Sequence, residues 1–186
     1  MTENDYDIEE EHVHRYAVWT AARAVQRSFA KTEKIKNAIE KSGLREAVKS
    51  SAWTDENTFD SFHEVCANKI MEAFKNENIP DVSYGRAAKI IAIYLKTTVI
   101  VASSGADKRC EFIHPPVDRI LLSGLCKLDG LRNINKDPWT QLSQEKYWGI
   151  VNMVRKSNRA FNWKLEYYWD INKASDVERS SLKESY

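Results

Sequence analysis

The chain has 186 residues, with 28 Lys+Arg against 27 Asp+Glu, 42% apolar and 11% aromatic residues, and only six glycines and four prolines. That length suits one domain, or one built from two interlocked lobes, with a sizeable core, and the apolar content excludes a disordered chain. Few Gly and Pro beside 30% charged residues argue for helices over a turn-dense β-sandwich. The net charge of +1 hides an asymmetry: residues 1–11 hold six acids and no base, so residues 12–186 carry 28 bases against 21 acids, a net +7. A basic body behind a short acidic segment is compatible with a nucleic-acid partner.

The acidic start is unlike a secretory signal, which is basic and then apolar. The longest apolar stretch, 90–102, contains Lys96, Thr97 and Thr98 and is too short for a membrane span. Cys66, Cys110 and Cys126 form no CxxC pair and have no zinc-like spacing to histidine, which predicts reduced thiols, no metal site and a soluble cytoplasmic protein. Nothing in the pattern calls for a cofactor or a membrane.

The first predicted helix runs over 12–30, with Val13, Ala17, Ala21, Ala24 and Val25 at spacings of three and four. Thr32 is the expected N-cap of a second helix, which buries Ile35 and Ile39 and stops at Gly43. After a break at 50–54, Phe59, Phe62, Cys66, Ile70 and Phe74 mark a helix through Lys75, with His63 beside the stripe as a packing or capping residue. Residues 76–85 read as a turn, and Ser83 caps a long apolar helix from Tyr84 to about Val101, whose β-branched end is prone to fray into strand. Pro115-Pro116 is expected to open a helix through Leu125. A loop covers 129–138, Ser143 caps a helix over 144–156, and 161–170 reads as a last short helix. The expected architecture is an all-α globular bundle of about seven or eight helices: an acidic disordered tail at 1–11, one helical domain at 12–173 and a polar disordered tail at 174–186.

No P-loop, GxGxxG, GxSxG or HExxH motif is present. His12 and His14, two apart, do not share a helical face. Polar residues cluster at two predicted helix starts: Tyr84, Gly85, Arg86 and Lys89 at one, His114, Asp118 and Arg119 at the other. Asp118 in His114-Pro115-Pro116-Val117-Asp118-Arg119 is either a helix N-terminal acid favoured by the dipole or a catalytic carboxylate.

The stretch from Ile79 through Gly85 to Lys89, followed by Pro116-Val117-Asp118, resembles the helix-hairpin-helix superfamily of DNA base-excision glycosylases over roughly residues 60–128. The resemblance implies two lobes flanking a cleft, a hairpin whose Gly85 turn meets a DNA phosphate, and Asp118 as the carboxylate. The family's second glycine is missing, and its lysine nucleophile would fall at Ala87, with Lys89 the nearest amine. A monofunctional hydrolase of the N-glycosidic bond of a damaged base is therefore implied more than a lyase. A carboxylate stabilises the oxocarbenium character of such a reaction, and the flipped base needs aromatic walls, for which Trp139 and Trp148 are the leading candidates. DNA contacts are expected from Tyr84, Gly85, Arg86, His114 and Arg119, and from basic clusters at 15–41 and 146–159. Two other readings stand beside it: a non-catalytic helical module that binds nucleic acid or protein, and an enzyme of other chemistry with His114 as acid or base. In the DNA-binding readings the acidic N-terminus competes with DNA for the basic body.

Overall fold

The computed structural model describes residues 7–25, 29–134 and 137–170. Arg27, the first six residues and the expected tail at 174–186 lie outside them. The described chain is all-α, with seven α-helices: α1 (Val13–Val25), α2 (Thr32–Ser42), α3 (Leu44–Ser50), α4 (Glu56–Asn76), α5 (Tyr84–Leu95), α6 (Arg119–Leu125) and α7 (Gln144–Lys156). Single-turn segments join them: π-helical at Ile8–His12 and Lys96–Val101, 3-10 at Lys108–Glu111, Trp139–Gln141 and Trp163–Tyr168. No helix among the described residues is long and apolar enough to cross a membrane.

α5 is the spine. Its residues Ala87, Ala88, Ile90, Ile91, Ala92 and Leu95 are all buried, and it packs against α1, α4 and α7. α1 meets it with Ala17, Ala21 and Ala22, each fully buried, so small side chains on both helices allow a close approach. One apolar core runs from Ala17 to Leu165, which makes the described residues a single packed unit.

Capping follows the sequence in part. Ser83 accepts from the Arg86 amide at 3.2 Å and Ser143 from the Lys146 amide at 3.3 Å, as expected. Asp55 and Thr58 form a reciprocal box at α4, with Asp55 accepting from the Thr58 amide at 2.8 Å. Thr32 is instead the first residue of α2, whose cap is Lys31 with no side-chain bond. Gly43 ends α2 at φ +81°, in the left-handed region.

Four expectations need correction. The helix expected from Pro115 starts at Arg119, because a residue before proline is pushed out of the helical region, 113–118 has no regular secondary structure, and the extended Asp118 becomes the cap. The stretch 96–101 widens into a π turn without becoming strand: Thr97 and Thr98 hydroxyls donate back to the Ile93 and Tyr94 carbonyls at 3.0 and 2.9 Å and compete with the backbone ladder. The last helix narrows to a 3-10 turn at Trp163–Tyr168. The acidic segment is not wholly a tail, since Ile8–His12 forms a turn leading into α1.

Gly85 in α5 shows how tight the packing is. A Cβ there would sit 2.0 Å from the Trp139 carbonyl oxygen, a backbone atom, and 3.0 Å from the Leu142 side chain. Gly149 in α7 has open space around it. Gly85→Ala should lower stability by about 2–3 kcal/mol and the melting temperature by about 5–10 °C. Gly149→Ala should raise stability by about 0.5–1 kcal/mol. Thermal melts of both variants followed by circular dichroism check the pair.

Candidate functional site

The structure brings Lys89 and Asp118, 29 positions apart in sequence, to 3.3 Å, with Lys89 Nζ facing Asp118 Oδ2. Asp118 is the N-cap of α6: its Oδ1 accepts from the Leu121 amide at 3.0 Å. Its Oδ2 also accepts from the Trp169 indole N–H at 3.1 Å. Lys89 Nζ sits 4.2 Å from the centre of the Trp139 ring, a cation–π contact that covers the amine. The side chains are 11% and 15% exposed. Both carboxylate oxygens are thus engaged within the fold, and the arrangement ties α5, α6 and the Trp163–Tyr168 turn together.

The other expected site residues do not converge on one cleft. Gly85 lies in the first turn of α5 rather than in a free hairpin, and its N–H donates to the Leu142 carbonyl at 3.1 Å, so that donor is engaged internally. Arg86 lays its guanidinium 4.3 Å from the centre of the Phe29 ring and 5.9 Å from that of Trp139. Burial pulls its proton affinity below the ordinary arginine range. Tyr84 and His114 are buried, 2% and 1% exposed, and Arg119 is on the surface. Trp148 packs edge-on against His63, His114 and Tyr147. Two surface grooves, of about 490 and 590 Å³, are lined by Gly130, Gly149, Asn152, Met153, Lys156 and Ser157 in one case and by Gly124, Lys127, Leu128 and Tyr167–Asp170 in the other. Neither is lined by Lys89, Asp118 or Arg86.

His114 and Tyr84 belong instead to a buried polar chain that also takes in His63, which periodicity had marked as a packing residue. Tyr84 Oη lies 3.1 Å from His63 Nδ1, and Tyr147 Oη lies 3.4 Å from His63 Nε2 and 3.0 Å from His114 Nδ1. His114 Nε2 is 3.3 Å from Asp60 Oδ1, and Arg155 grips Asp60 with two bonds of 2.6 and 2.9 Å. With neutral imidazoles one donor direction runs along the series from Tyr84 to His114. Tyr84 donates to His63, His63 to Tyr147 and Tyr147 to His114, whose Nε2 faces Asp60 in an ion contact without hydrogen-bond geometry. Burial acts against the Asp60 charge, but the nearby His114 and the Arg155 donors prevail and hold the carboxyl at about 2. Burial pushes both imidazoles below the free-histidine range, His63 furthest, with the neighbouring His114 adding to the effect. Among the described residues no group of three or more His, Cys, Asp or Glu is placed to hold a metal ion. His14 joins a separate set, 2.9 Å from Tyr94 Oη and 2.8 Å from Glu40 Oε1.

The basic clusters separate on inspection. In the later one, Arg155 is held by Asp60 and Glu56, Lys146 pairs with Asp137, and Arg159 donates to Ser157. The earlier one borders a surface feature that the sequence analysis did not single out. Tyr16 and Trp19 on α1 are 54% and 52% exposed and stack on one another, centroids 5.9 Å apart at 25°. Arg15 lies four residues before Trp19 and Arg23 four after it, so all four side chains share the outer face of α1. The signal was present: a Trp off the apolar stripe of an amphipathic helix is placed in solvent.

Because the folded protein holds His63 and His114 neutral, the unfolded chain binds protons more readily as pH falls through the free-histidine value of 6.5. Stability is therefore full above that range and declines below it, by up to about 1.4 kcal/mol per pH unit for each imidazole. Asp60 adds to the loss lower down, where its stabilising charge is titrated between its free value of 3.8 and about 2. Urea midpoints measured at intervals from pH 7.5 to 5 should hold level down to about the free-histidine value of 6.5 and fall below it, and a profile flat throughout would contradict the neutral chain. In comparisons with family models, with curated proteins and with solved structures, the chain finds no match.

Proposed function

We propose that this protein is a non-catalytic helical module that binds single-stranded nucleic acid across the outer face of α1. The observation that carries the reading is the exposed, stacked Tyr16–Trp19 pair set between Arg15 and Arg23. Among the described residues, Tyr167 on a 3-10 turn is the one other aromatic this open to water, and no second exposed pair stacks on a helix face. Unpaired bases stack on such rings whatever their sequence, while guanidinium groups meet the phosphates between them. The net +7 of residues 12–186 favours the same polyanionic partner. The internal engagement of Asp118 and of the Gly85 amide turns the reading away from catalysis at the two helix starts.

A glycosylase-like enzyme is the second reading, and one observation favours it: Lys89 and Asp118, the two residues singled out for that chemistry, meet at 3.3 Å. Its requirement is that Trp139 and Trp169 move aside to expose the pair.

For the first reading, Trp19→Ala should weaken binding of a labelled 20-mer single-stranded DNA about tenfold at low salt. Its circular dichroism spectrum and melting temperature should stay close to the parent, because the side chain is largely exposed. Affinity should fall with salt at a log–log slope of about −0.7 for each phosphate contacted. No binding by either the parent or Glu10→Gln/Glu11→Gln would indicate a protein partner instead. For the second reading, duplexes carrying a panel of modified bases are incubated with the protein and then treated with alkali. Strand breakage that Asp118→Asn abolishes supports the enzyme, and no breakage on any duplex removes it.

A further inference from the structure

The acidic segment before α1 is not idle in the fold. Glu11 Oε1 accepts from Arg15 Nε at 2.6 Å, and its Oε2 accepts from an Arg45 N–H at 2.8 Å. Glu10 Oε2 accepts from Lys49 Nζ at 2.7 Å. Two adjacent carboxylates therefore bridge three cations on two helices, Arg15 on α1 and Arg45 and Lys49 on α3. Glu11 is largely covered at 13% exposed, whereas Arg15 and Lys49 are 57% and 48% exposed. The Arg15 and Arg45 donors hold the Glu11 carboxyl below its usual range.

We infer that Arg15, Arg45 and Lys49 form a phosphate-binding site continuous with the Tyr16–Trp19 face, and that Glu10 and Glu11 occupy it in cis as an autoinhibitory strap. This rests on the nucleic-acid reading of α1 and supplies its regulation. Three features support it. The spacing of the two carboxylates over three cations imitates the way successive phosphates would engage the same groups. Arg15 belongs both to the strap's ion pairs and to the face that bears Trp19, so an anion in either place affects the other. The strap is also easily lifted. Its backbone is one π turn, with the Glu11 and His12 amides both directed at the Asp7 carbonyl at 2.9 and 3.1 Å, and exposed ion pairs hold its Glu10 end.

Competition of this kind is electrostatic, and it has a salt signature that a purely structural role lacks. When carboxylates already neutralise the cations, nucleic-acid binding releases the strap in place of counterions, and the salt dependence is shallow. Removing the strap charges restores counterion release and steepens it.

The test is fluorescence anisotropy with a labelled single-stranded DNA 20-mer at several salt concentrations, on the full chain. The proteins are the parent, Glu10→Gln/Glu11→Gln, Arg45→Gln/Lys49→Gln, the four-fold combination, and Trp19→Ala. The expected result is that Glu10→Gln/Glu11→Gln binds about three- to tenfold more tightly at low salt, with a log–log slope steeper by about one to two units. That gain should shrink at high salt and in the Arg45→Gln/Lys49→Gln background. Tight binding by the glutamine variant where the parent shows none supports the inference in its strongest form. If the parent binds and Trp19→Ala weakens it, but the glutamine variant has unchanged or weaker affinity and an unchanged slope, the strap is overturned and the α1 reading stands. A lower melting temperature with no change in affinity counts the same way. If neither the parent nor the glutamine variant binds, both the strap and the nucleic-acid reading fall.

Discussion

The interior of this fold is organised around a single acceptor, the Asp60 carboxylate on α4. Arg155 of α7 clamps it from one side and His114 of the extended Pro-Pro segment approaches it from the other. From His114 the chain of donors passes through Tyr147 on α7 and His63 on α4 to Tyr84 at the start of α5. Three helices and the segment leading into α6 are thereby held in register by buried histidines and tyrosines that end on a partly exposed ion pair. Burying so many polar atoms is tolerable because the hydroxyls and imidazoles hydrogen-bond one another and the series ends on a charge that Arg155 balances. Apolar contacts alone would let helices of similar shape slide; a directional chain admits one arrangement.

The same logic separates the two helix starts from the outer face of α1. At the starts of α5 and α6, polar residues are drawn into the fold: Gly85 to Leu142, Asp118 to its own helix, Lys89 and Trp169, and Lys89 to the face of Trp139. A carboxylate with three donors is a good structural joint and a poor general base. On α1 the reverse holds. Tyr16 and Trp19 contribute little to the core, remain half exposed, and lie next to cations that the acidic segment partly neutralises. Exposed polar and aromatic groups remain where packing does not use the side chains.

Much of the helical content was legible because period 3.6 is a local property. α7 begins and ends where Ser143 and its apolar spacing put it, and α5 begins at the residue after Ser83. Boundaries failed where local rules compete. Proline suits a first helical turn, yet the second proline of Pro115-Pro116 keeps its predecessor extended and Asp118 takes the cap. Threonine hydroxyls turned 96–101 into a π turn where β-branching had suggested strand. Their places at two predicted helix starts and the family resemblance brought Lys89 and Asp118 to attention, and they do meet, but their partners Trp139 and Trp169 lie 50 and 51 positions away from them and carry no pattern that announces the contact. Periodicity places His63 one position off the apolar stripe of α4, as a packing or capping residue, and cannot show that its partners in the fold are Tyr84, Tyr147 and His114.

By itself the amino-acid sequence determined an all-α chain, the faces its helices bury, the caps at Ser83 and Ser143, and the division into an acidic start and a basic body. These depend on periodicity, short-range hydrogen bonds and charge count, which act within a few residues. The tertiary structure alone decided what the polar residues do. It joined Asp60, His114, Tyr147, His63 and Tyr84 into one chain, engaged Asp118 from three sides, left Tyr16 and Trp19 in solvent, and laid Glu10 and Glu11 across Arg15, Arg45 and Lys49. The physical reason is the range of the interactions. A polar group's role is set by the partners within about 3 Å of it, and in a helical bundle most of those come from another helix, tens of residues away along the chain.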